Sequence, residues 1–215
     1  MDLVDDLDIP PRDRNALLKA AGYPPLSGVG SMNDPILGTT IDLILAAQEP
    51  NPACAINNRW QVVARNGAFE RLIAGVDRAL LAPPMSLLRI MLHPAGLAPR
   101  IENLRDWKRA LTHRAHRHYD LSRDPVLGGM LDELHTYPNH PSAGIDPHMP
   151  GVAVPLRLVT IDGTLSVINT TTTFAAAKDV TLSELFIETY FPIDETTATL
   201  LRAPVRPVVL PATTD

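Results

Sequence analysis

Proline sets the first constraint on this chain, because it ends helices and is excluded from central strands. Twenty-one of the 215 residues are proline. They are concentrated in clusters at 10–11, 24–25, 50–52, 83–84, 138–155 and 204–211. The clusters divide the chain into short segments, so each segment has to form its own helix, strand or hairpin between two interruptions.

The composition is that of an ordinary globular protein, with 45% hydrophobic and 20% charged residues. The net charge of −5 argues against a broad nucleic-acid-binding face on this chain. Cys54 is the single cysteine, so no intramolecular disulfide can form and a reducing compartment is expected. The acidic N-terminus lacks the features of a signal peptide, and no stretch approaches the ~18 consecutive apolar residues of a membrane span. The sequence therefore predicts a cytoplasmic protein with no membrane contact.

Apolar residues at helical spacing predict several helices in the first two thirds of the chain. Asp34 and Pro35 are suited to cap and begin a helix that extends to residue 47. GAFERLIAGV predicts a short amphipathic helix, Ser86 is suited to cap LLRIML, and Asp124 to cap a later helix. The longest predicted helix spans ENLRDWKRALTHRAHRHYD, with an apolar stripe formed by Leu104, Trp107, Leu111 and Ala115.

Alternating apolar and polar residues predict strands in two regions. ACAI and WQVVA form two of them, joined by a turn at Asn57-Asn58 because asparagine tolerates positive φ. VPLRLVTIDGTLSVINTTTTF predicts a hairpin whose two-residue type I′ turn is Asp162-Gly163. The segment TYPNHPSAGIDPHMPG before it is too rich in proline and glycine to be anything but a loop.

The segment DVTLSELFIETYFPID permits two interpretations. Thr181 with Glu184 resembles a helix capping box, but the alternation from Leu185 to Phe191 favours a strand after a brief turn. The order is therefore strand, strand, helices, hairpin, strand, closed by the short helix ETTATLLR. Tight turns between successive strands favour an α+β fold, with an antiparallel sheet of about five strands and helices packed on one side. Such a layout can enclose a pocket between sheet and helices.

No pattern typical of a catalytic, metal or cofactor site is found. His113, His116 and His118 lie close together, but no cysteine or carboxylate completes a zinc site, so we interpret them as the solvated basic face of a helix. Cys54 lies in an apolar strand and is expected to be a small core residue rather than a redox switch. There is no nucleophile elbow, and SGVGS is interpreted as a linker rather than a phosphate-binding loop. We predict a protein that is not an enzyme and that uses no metal or cofactor.

Four long phrases, in their order, carry a resemblance to a known family: PPRDRNALLKAAGYPP, NPACAINNRWQVVARN, LLRIMLHPAGLAPRIENLRDW and DVTLSELFIETYFPIDETTATLLR. Together they resemble the ligand-binding region of MmyB-like transcription regulators, from about Leu7 to Arg202. The resemblance implies a PAS-like sensor fold, which agrees with the strand order above, and a hydrophobic or fatty-acid-like ligand. It also implies a bacterial regulator in which an XRE-class helix-turn-helix domain precedes the sensor.

The resemblance further implies a domain organisation. Residues 1–25 are expected to be the C-terminal end of a helix-turn-helix domain, because LDIPPRDRNALLKAAGYPP resembles its exit into the sensor. Residues 26–33 are then a linker, 34–203 the PAS-like sensor domain and 204–215 a proline-rich tail. DNA binding is expected only through the helix-turn-helix that this sequence lacks; truncation and true loss stay open as explanations.

A pocket for an acyl chain needs apolar walls and one or two polar groups at its mouth. Asn66 is a candidate ligand contact, although helix capping is the simpler role, and Arg89 or Arg100 is a candidate for binding a carboxylate rather than being only solvated. The candidates for the apolar walls, each with core packing as the simpler role, are Trp60, Phe69, Leu88, Met91, Leu92, Trp107, Leu111, Phe186 and Phe191.

The predicted partners are a small hydrophobic effector and a second copy of the chain in a homodimer. A ligand-free dimerisation or protein-interaction module is the alternative function. An enzyme that uses the histidines is a third hypothesis, which requires a bound metal or a titrating histidine in a cleft.

Overall fold

A computed structural model describes residues 17–18, 20–23, 35–138, 154–174 and 185–203. From residue 35 onward its elements, in chain order, are α1 (Pro35–Ala47), β1 (Ala53–Ile56), β2 (Val62–Arg65), α2 (Gly67–Leu72), α3 (Arg78–Leu81), α4 (Leu87–Leu92), a 3-10 helix (Ala98–Arg100), α5 (Leu104–Ser122), α6 (Pro125–Thr136), β3 (Leu156–Thr160), β4 (Gly163–Thr173), β5 (Phe186–Pro192) and α7 (Glu195–Arg202). The predicted pattern of strands, helices, hairpin, strand and closing helix is therefore confirmed.

The five strands form one antiparallel sheet in the order β2-β1-β5-β4-β3. β5, the last strand in sequence, lies in the centre between β1 and β4. Cys54 on β1 and Thr171 on β4 both lie opposite Glu188 on β5. The α+β fold class with a five-stranded antiparallel sheet, predicted from the sequence, is confirmed, and its central strand brings residues more than a hundred positions apart into register.

Each face of this sheet carries an apolar cluster. A large apolar core fills the face toward α2, α4, α5 and α6. On the opposite face, Leu37, Ile41 and Leu45 of α1 pack in a second cluster with Ala53, Ala55, Leu185 and Ile187. The helices that pack on the large core lie on one side of the sheet, as predicted. α1 lies on the other side, which the prediction did not include. The reason is visible in β1, whose four residues ACAI are all buried and so need cover on both faces.

The predicted helix caps are confirmed where the structure describes them. The side chain of Ser86 accepts a hydrogen bond from the Arg89 amide, and that of Asp124 accepts from the amides of Val126 and Leu127. Several predictions lie outside the described residues: the cap Asp34, the capping box at Thr181 and Glu184, the linker, the tail, and most of the loop before β3.

The β3–β4 hairpin differs from its prediction by one residue. Thr160 pairs with Gly163, so the two loop residues are Ile161 and Asp162, and the prediction that Asp162-Gly163 forms the turn is wrong. Gly163 begins β4 with a φ of +139°, a value that favours glycine. A Cβ at this position would also lie 3.3 Å from a methyl carbon of Leu200 on α7. Glycine is therefore favoured here by the backbone of the first residue of β4 and by its contact with α7, and not by the turn itself.

Asn66 connects four parts of the fold through one side chain. Its Oδ1 accepts from the amide of Phe69 at 2.9 Å, which caps α2, and from the amide of Ala53 at 3.0 Å. Its Nδ2 donates to the carbonyls of Leu45 at 3.2 Å and Asn51 at 2.9 Å. The amide group thus makes two acceptor and two donor bonds, which is its full capacity. Capping, the simpler of its two predicted roles, is what this geometry supports.

Replacing Asn66 by alanine is expected to lower the free energy of unfolding by about 2–4 kcal/mol, because it removes a cap and leaves buried backbone groups unpaired. The matched control is Asp77→Ala, which removes the exposed cap of α3 and its single bond to Ala79, 2.8 Å long. We expect this control to cost about 1 kcal/mol. Urea denaturation of both variants measures the difference, and equal losses would contradict the connecting role of Asn66.

Candidate functional site

A group of charged and polar side chains lies between α5 and the central strands, beside the large apolar core. Arg114 of α5 donates from Nη1 to Asn169 Oδ1 and from Nη2 to Thr171 Oγ1 and Glu188 Oε1, each at 2.6 Å. Thr171 in turn donates to Glu188 Oε1 at 2.8 Å. We call these four residues the Arg114 cluster.

Helical and strand periodicity together place the cluster. Arg114 lies one position before Ala115, the last residue of the buried stripe on α5. On β5, Glu188 lies between Phe186 and Tyr190 on the face that carries the large core. Thr171 is its register partner, and Asn169 lies two residues earlier on the same face of β4. The guanidinium therefore meets the sheet where β4 and β5 are paired.

Burial makes this cluster energetically demanding. The Glu188 side chain is 1% exposed and that of Arg114 is 28% exposed. A carboxylate this deeply buried needs a cation or several donors, and Arg114 provides the cation. Within the residues that the structure describes, two buried atoms of the cluster still lack a hydrogen-bond partner: Glu188 Oε2 and Asn169 Nδ2.

An aromatic wall adjoins the cluster. The indole Nε1 of Trp60 donates to Nδ1 of His118 at 3.1 Å, and the His118 ring stacks on Phe186 with centroids 4.8 Å apart. The guanidinium of Arg114 lies over the Trp60 ring, 5.1 Å from its centroid. Because Nδ1 of His118 accepts this bond, a neutral imidazole carries its proton on Nε2. Trp60 itself has a φ of +60°, in a region uncommon for residues other than glycine, and so presents its indole from a tight turn.

A pocket of about 260 Å³ opens beside the cluster and the wall. It is lined by Arg114, Arg117, His118, Leu121, Thr171, Thr173 and Phe186. Arg117 gives it a cationic side, since Glu188 offsets the charge of Arg114. The phenyl ring of Phe186 and the side chain of Leu121 give it an apolar side. A site of this composition suits a small amphipathic molecule with an anionic or strongly polar end.

A second pocket, of about 240 Å³, lies between α3, α4 and α6 and includes Arg89 and Glu133 in its lining. Arg89 binds the Glu133 carboxylate through Nε at 2.9 Å and Nη2 at 2.5 Å, and Tyr137 donates to the same carboxylate. The Arg89 guanidinium lowers the pKa of Glu133, so the pair stays ionised. This pocket therefore has a wall whose charges already neutralise each other.

The two arginines proposed to bind a carboxylate make contacts within the fold. Arg89 is committed to Glu133, as described above, and Arg100 donates to the carbonyls of Ala74 and Leu72, both at 3.1 Å. Neither lines the pocket beside Arg114. The cationic residues at that pocket are Arg114 and Arg117, which the sequence reasoning did not select.

The residues predicted to form the apolar wall of a pocket lie in different environments in the structure. Phe186 lines the pocket and Trp60 supports it through His118 and Arg114. By strand alternation Phe191 lies on the opposite face of β5 from Phe186 and Glu188, and it is half-buried. The remaining candidates are buried among one another in the large core: Phe69, Leu88, Met91, Leu92, Trp107 and Leu111.

The histidines do not share one environment. His113 is exposed, as a solvated helix face requires, but His118 packs between Trp60 and Phe186 and its predicted placement on that face is wrong. Its position explains this, because residue 118 follows Leu111 by seven and Ala115 by three and so continues the buried stripe. Among the described residues, no group of three or more His, Cys, Asp and Glu side chains is placed to hold a metal ion.

Cys54 lies fully buried beneath this site, opposite Glu188 in the sheet. Burial, and secondly the charge of Glu188, raise the pKa of its thiol well above the ordinary value. A thiol held in its protonated form is a poor nucleophile, so Cys54 has the properties of a core residue.

Two signals in the sequence point to the residues that were missed. Glu188 is a charged residue in the middle of FIETYFP, a segment whose first five residues are all buried. Arg114 and His118 are polar residues that adjoin or continue the buried stripe of α5. A charge in a buried strand predicts a partner, and a basic residue beside a buried stripe is the simplest one.

Replacing Arg114 by methionine is expected to lower the free energy of unfolding by about 3–5 kcal/mol, because it leaves the Glu188 carboxylate buried without its cation. Adding Glu188→Gln to the same chain should restore at least half of this loss, since an uncharged amide tolerates burial better. Arg109→Met is the control: its ion pair with Asp106 leaves the arginine side chain 73% exposed, and we expect a change of about 0.5 kcal/mol or less. Chemical denaturation of the variants measures these differences; equal losses for Arg114→Met and Arg109→Met would contradict a buried pair.

Comparison with known proteins places this chain within a family. In the described part of the chain, no helix has both the length and the apolar character needed to cross a membrane. No curated protein matches the chain. A family model described as the MmyB-like transcription regulator ligand binding domain matches residues 37–203, a range that contains the whole sheet, the Arg114 cluster and the adjoining pocket. The chain therefore belongs to the family of ligand-binding domains of MmyB-like transcription regulators.

Proposed function

We propose that this domain is the effector sensor of a bacterial XRE-class transcription regulator, that its effector is a hydrophobic, fatty-acid-like molecule, and that it catalyses no reaction. The observation that carries the proposal is the pocket between α5 and strands β4 and β5, with arginines on one side and Phe186 and Leu121 on the other. Membership of a family of regulator ligand-binding domains supports a small-molecule effector.

The two sides of the pocket suggest how such an effector lies. Arg117 is exposed at the pocket and can bind a carboxylate without desolvating it completely. Arg114 is already engaged with three acceptors, one of them the Glu188 carboxylate that offsets its charge, so Arg117 is the arginine proposed to bind the effector. The alkyl part of the effector then packs against Phe186 and Leu121, where burial of apolar surface contributes about 25 cal/mol per Å².

The central strand offers a route from effector to DNA. β5 carries Phe186 and Glu188 on the pocket face and Ile187 on the opposite face, where it packs in the cluster that contains α1. An effector that favours one position of β5 also favours one packing of α1, which precedes the sheet in sequence. In a regulator with a DNA-binding domain before α1, this change alters the spacing of two such domains in a dimer.

A ligand-free dimerisation module remains the second candidate, and one observation favours it. The large core is filled: Trp60, Phe69, Leu88 and Met91 each have 0% exposure. If the pocket beside Arg114 holds nothing, the domain acts through its surface alone.

Blocking the pocket is expected to abolish effector binding. Thr173 and Thr172 are adjacent exposed residues on opposite faces of β4, and only Thr173 lines the pocket. Isothermal titration with decanoate should show at least tenfold weaker binding for Thr173→Trp, because the indole occupies the apolar side. Thr172→Trp, the matched control, should change the affinity by less than twofold.

Native mass spectrometry of the chain purified from bacteria, before and after organic extraction, complements this titration. A co-purifying mass that extraction removes, and that Thr173→Trp lacks, supports a sensor. If the wild-type chain binds no decanoate and carries no extractable mass, the proposal of a fatty-acid-like effector is contradicted. A dimer peak under those conditions supports the ligand-free module.

The proposed coupling has its own test. In a chain joined to an N-terminal XRE-class helix-turn-helix domain, decanoate is expected to change the affinity for operator DNA at least threefold. Electrophoretic mobility shift with and without decanoate measures this change. Equal DNA affinity in both conditions contradicts the route through β5 and α1, even if decanoate binds to the sensor domain.

A further inference from the structure

The exposed side of α5 carries a row of basic residues that packing within the fold does not explain. Four exposed residues follow one another at intervals of four positions: Arg105, Arg109, His113 and Arg117. The buried stripe of the same helix lies on the opposite side. Because four residues of an α-helix rise about 6 Å, the row extends over about 18 Å. We call these four residues the basic row.

The helix concentrates positive charge in a chain that is acidic overall. α5 contains five of the 19 lysine and arginine residues but only two of the 24 aspartate and glutamate residues. It stays basic even when Arg114, whose charge Glu188 offsets, is set aside. The net charge of −5 for the whole chain therefore conceals a local positive field along α5, which attracts anions to this helix.

The fold makes little use of these cations. In the part of the chain that the structure describes, neither Arg105 nor Arg117 forms an ion pair. Arg109 lies 3.1 Å from Asp106, but its side chain is still 73% exposed. The exposed carboxylate of Asp120, one turn beyond the row, forms its ion pair with a residue outside the row. Most of the donors of the three guanidinium groups therefore face solvent.

Helix stability does not explain the row either. Arg105 lies in the first turn of α5, where the helix dipole disfavours a cation. It also lies one turn before Arg109, and like charges four residues apart repel each other. An acidic residue at position 105 would suit the helix better, so a partner outside the fold is the simpler reason for a cation there.

The composition of this face fits a phosphate backbone better than a protein surface. Protein interfaces centre on apolar and aromatic side chains that become buried. Among the exposed residues of α5, the single apolar side chain is Leu121, which follows the row and lines the pocket. A guanidinium binds phosphate through two parallel hydrogen bonds. One DNA strand has a phosphate for about each 3.4 Å of the duplex axis, so three arginines spread over about 18 Å can each bind a different one.

We propose that the exposed face of α5 is a contact surface for the phosphate backbone of DNA, formed by Arg105, Arg109 and Arg117. This goes beyond the proposed function, in which a separate domain binds DNA. Phosphate contacts carry no sequence information, so the row adds affinity and orientation but does not select the operator.

The setting makes such weak contacts useful. The chain belongs to a family of transcription regulator domains. A DNA-binding domain in the same regulator holds DNA near the sensor at an effective concentration of about the millimolar range. At that concentration three phosphate contacts are sufficient to favour one orientation of the sensor against the duplex.

The test measures the binding of this chain to a labelled duplex of about 30 base pairs of mixed sequence, by fluorescence anisotropy from about 20 to about 150 mM NaCl. The logarithm of the wild-type binding constant should fall against the logarithm of salt concentration with a slope of about −3, because three arginines displace counterions. Arg105→Gln combined with Arg109→Gln should change this slope to about −1 and weaken binding at least tenfold at the lowest salt concentration. Each single substitution should change the slope by about 1.

The matched control removes two exposed arginines from other helices, Arg78→Gln on α3 and Arg202→Gln on α7. It changes the net charge by the same amount, but the slope should stay within about 0.5 of the wild-type value. Arg105→Lys combined with Arg109→Lys keeps both charges and should keep the slope. Thermal unfolding verifies that each variant folds, and the single substitutions provide the comparison if the double variant does not.

The result is independent of the effector, because Arg105 and Arg109 do not line the pocket beside the Arg114 cluster. Failure of decanoate to bind therefore bears on the proposed function alone. Three outcomes overturn the DNA contact: no binding of the duplex by the wild-type chain at the lowest salt concentration, equal losses in the α5 variant and its control, or tighter binding of poly-L-glutamate than of a duplex of similar charge. The last outcome assigns the basic row to an acidic protein surface.

Discussion

The ion pair between Arg114 and Glu188 is the interaction on which the rest of the site depends. It places a full negative charge on the central strand of the sheet, at 1% exposure, and neutralises it with a guanidinium from the longest helix. Isolated buried charges are too costly to persist, so the position of α5 against β4 and β5 is fixed by chemistry as well as by apolar packing. The pocket lies beside this pair, and Arg114 and Thr171 of the cluster are part of its lining.

The same strand also connects the two faces of the molecule. Glu188 and Phe186 lie on the side of the pocket, whereas Ile187 between them lies in the cluster with α1. A shift of the β5 backbone moves side chains on both faces, because successive residues share one backbone and alternate in direction. The sheet is therefore a physical connection between pocket and α1, and its strength depends on how tightly Leu37, Ile41 and Leu45 pack against it.

Local patterns predict most of this fold. Proline interruptions, helix caps such as Ser86 and Asp124, and the stripe of Leu104, Trp107 and Leu111 depend on residues near one another in sequence, and the structure agrees with them. The position of α1 was missed because a four-residue apolar strand does not show how many of its faces are buried.

The Arg114 cluster was missed for a different reason. Arg114 and Glu188 are 74 positions apart, and only the strand register brings them together. The selected candidates were large apolar residues, which mark a core equally well whether or not it holds a ligand. Polar residues inside buried elements are the more informative signal, since they require a partner that the local sequence does not supply.

Stability alone does not explain this cluster. Apolar residues of similar volume often replace a buried ion pair without loss of stability, and they leave no unpaired atoms. The Arg114 cluster instead leaves Oε2 of Glu188 and Nδ2 of Asn169 buried without a hydrogen-bond partner among the described residues. Local departures of this kind are typical of functional sites. A ligand that binds one packing of β5 tenfold more tightly than another shifts their equilibrium by the same factor, about 1.4 kcal/mol.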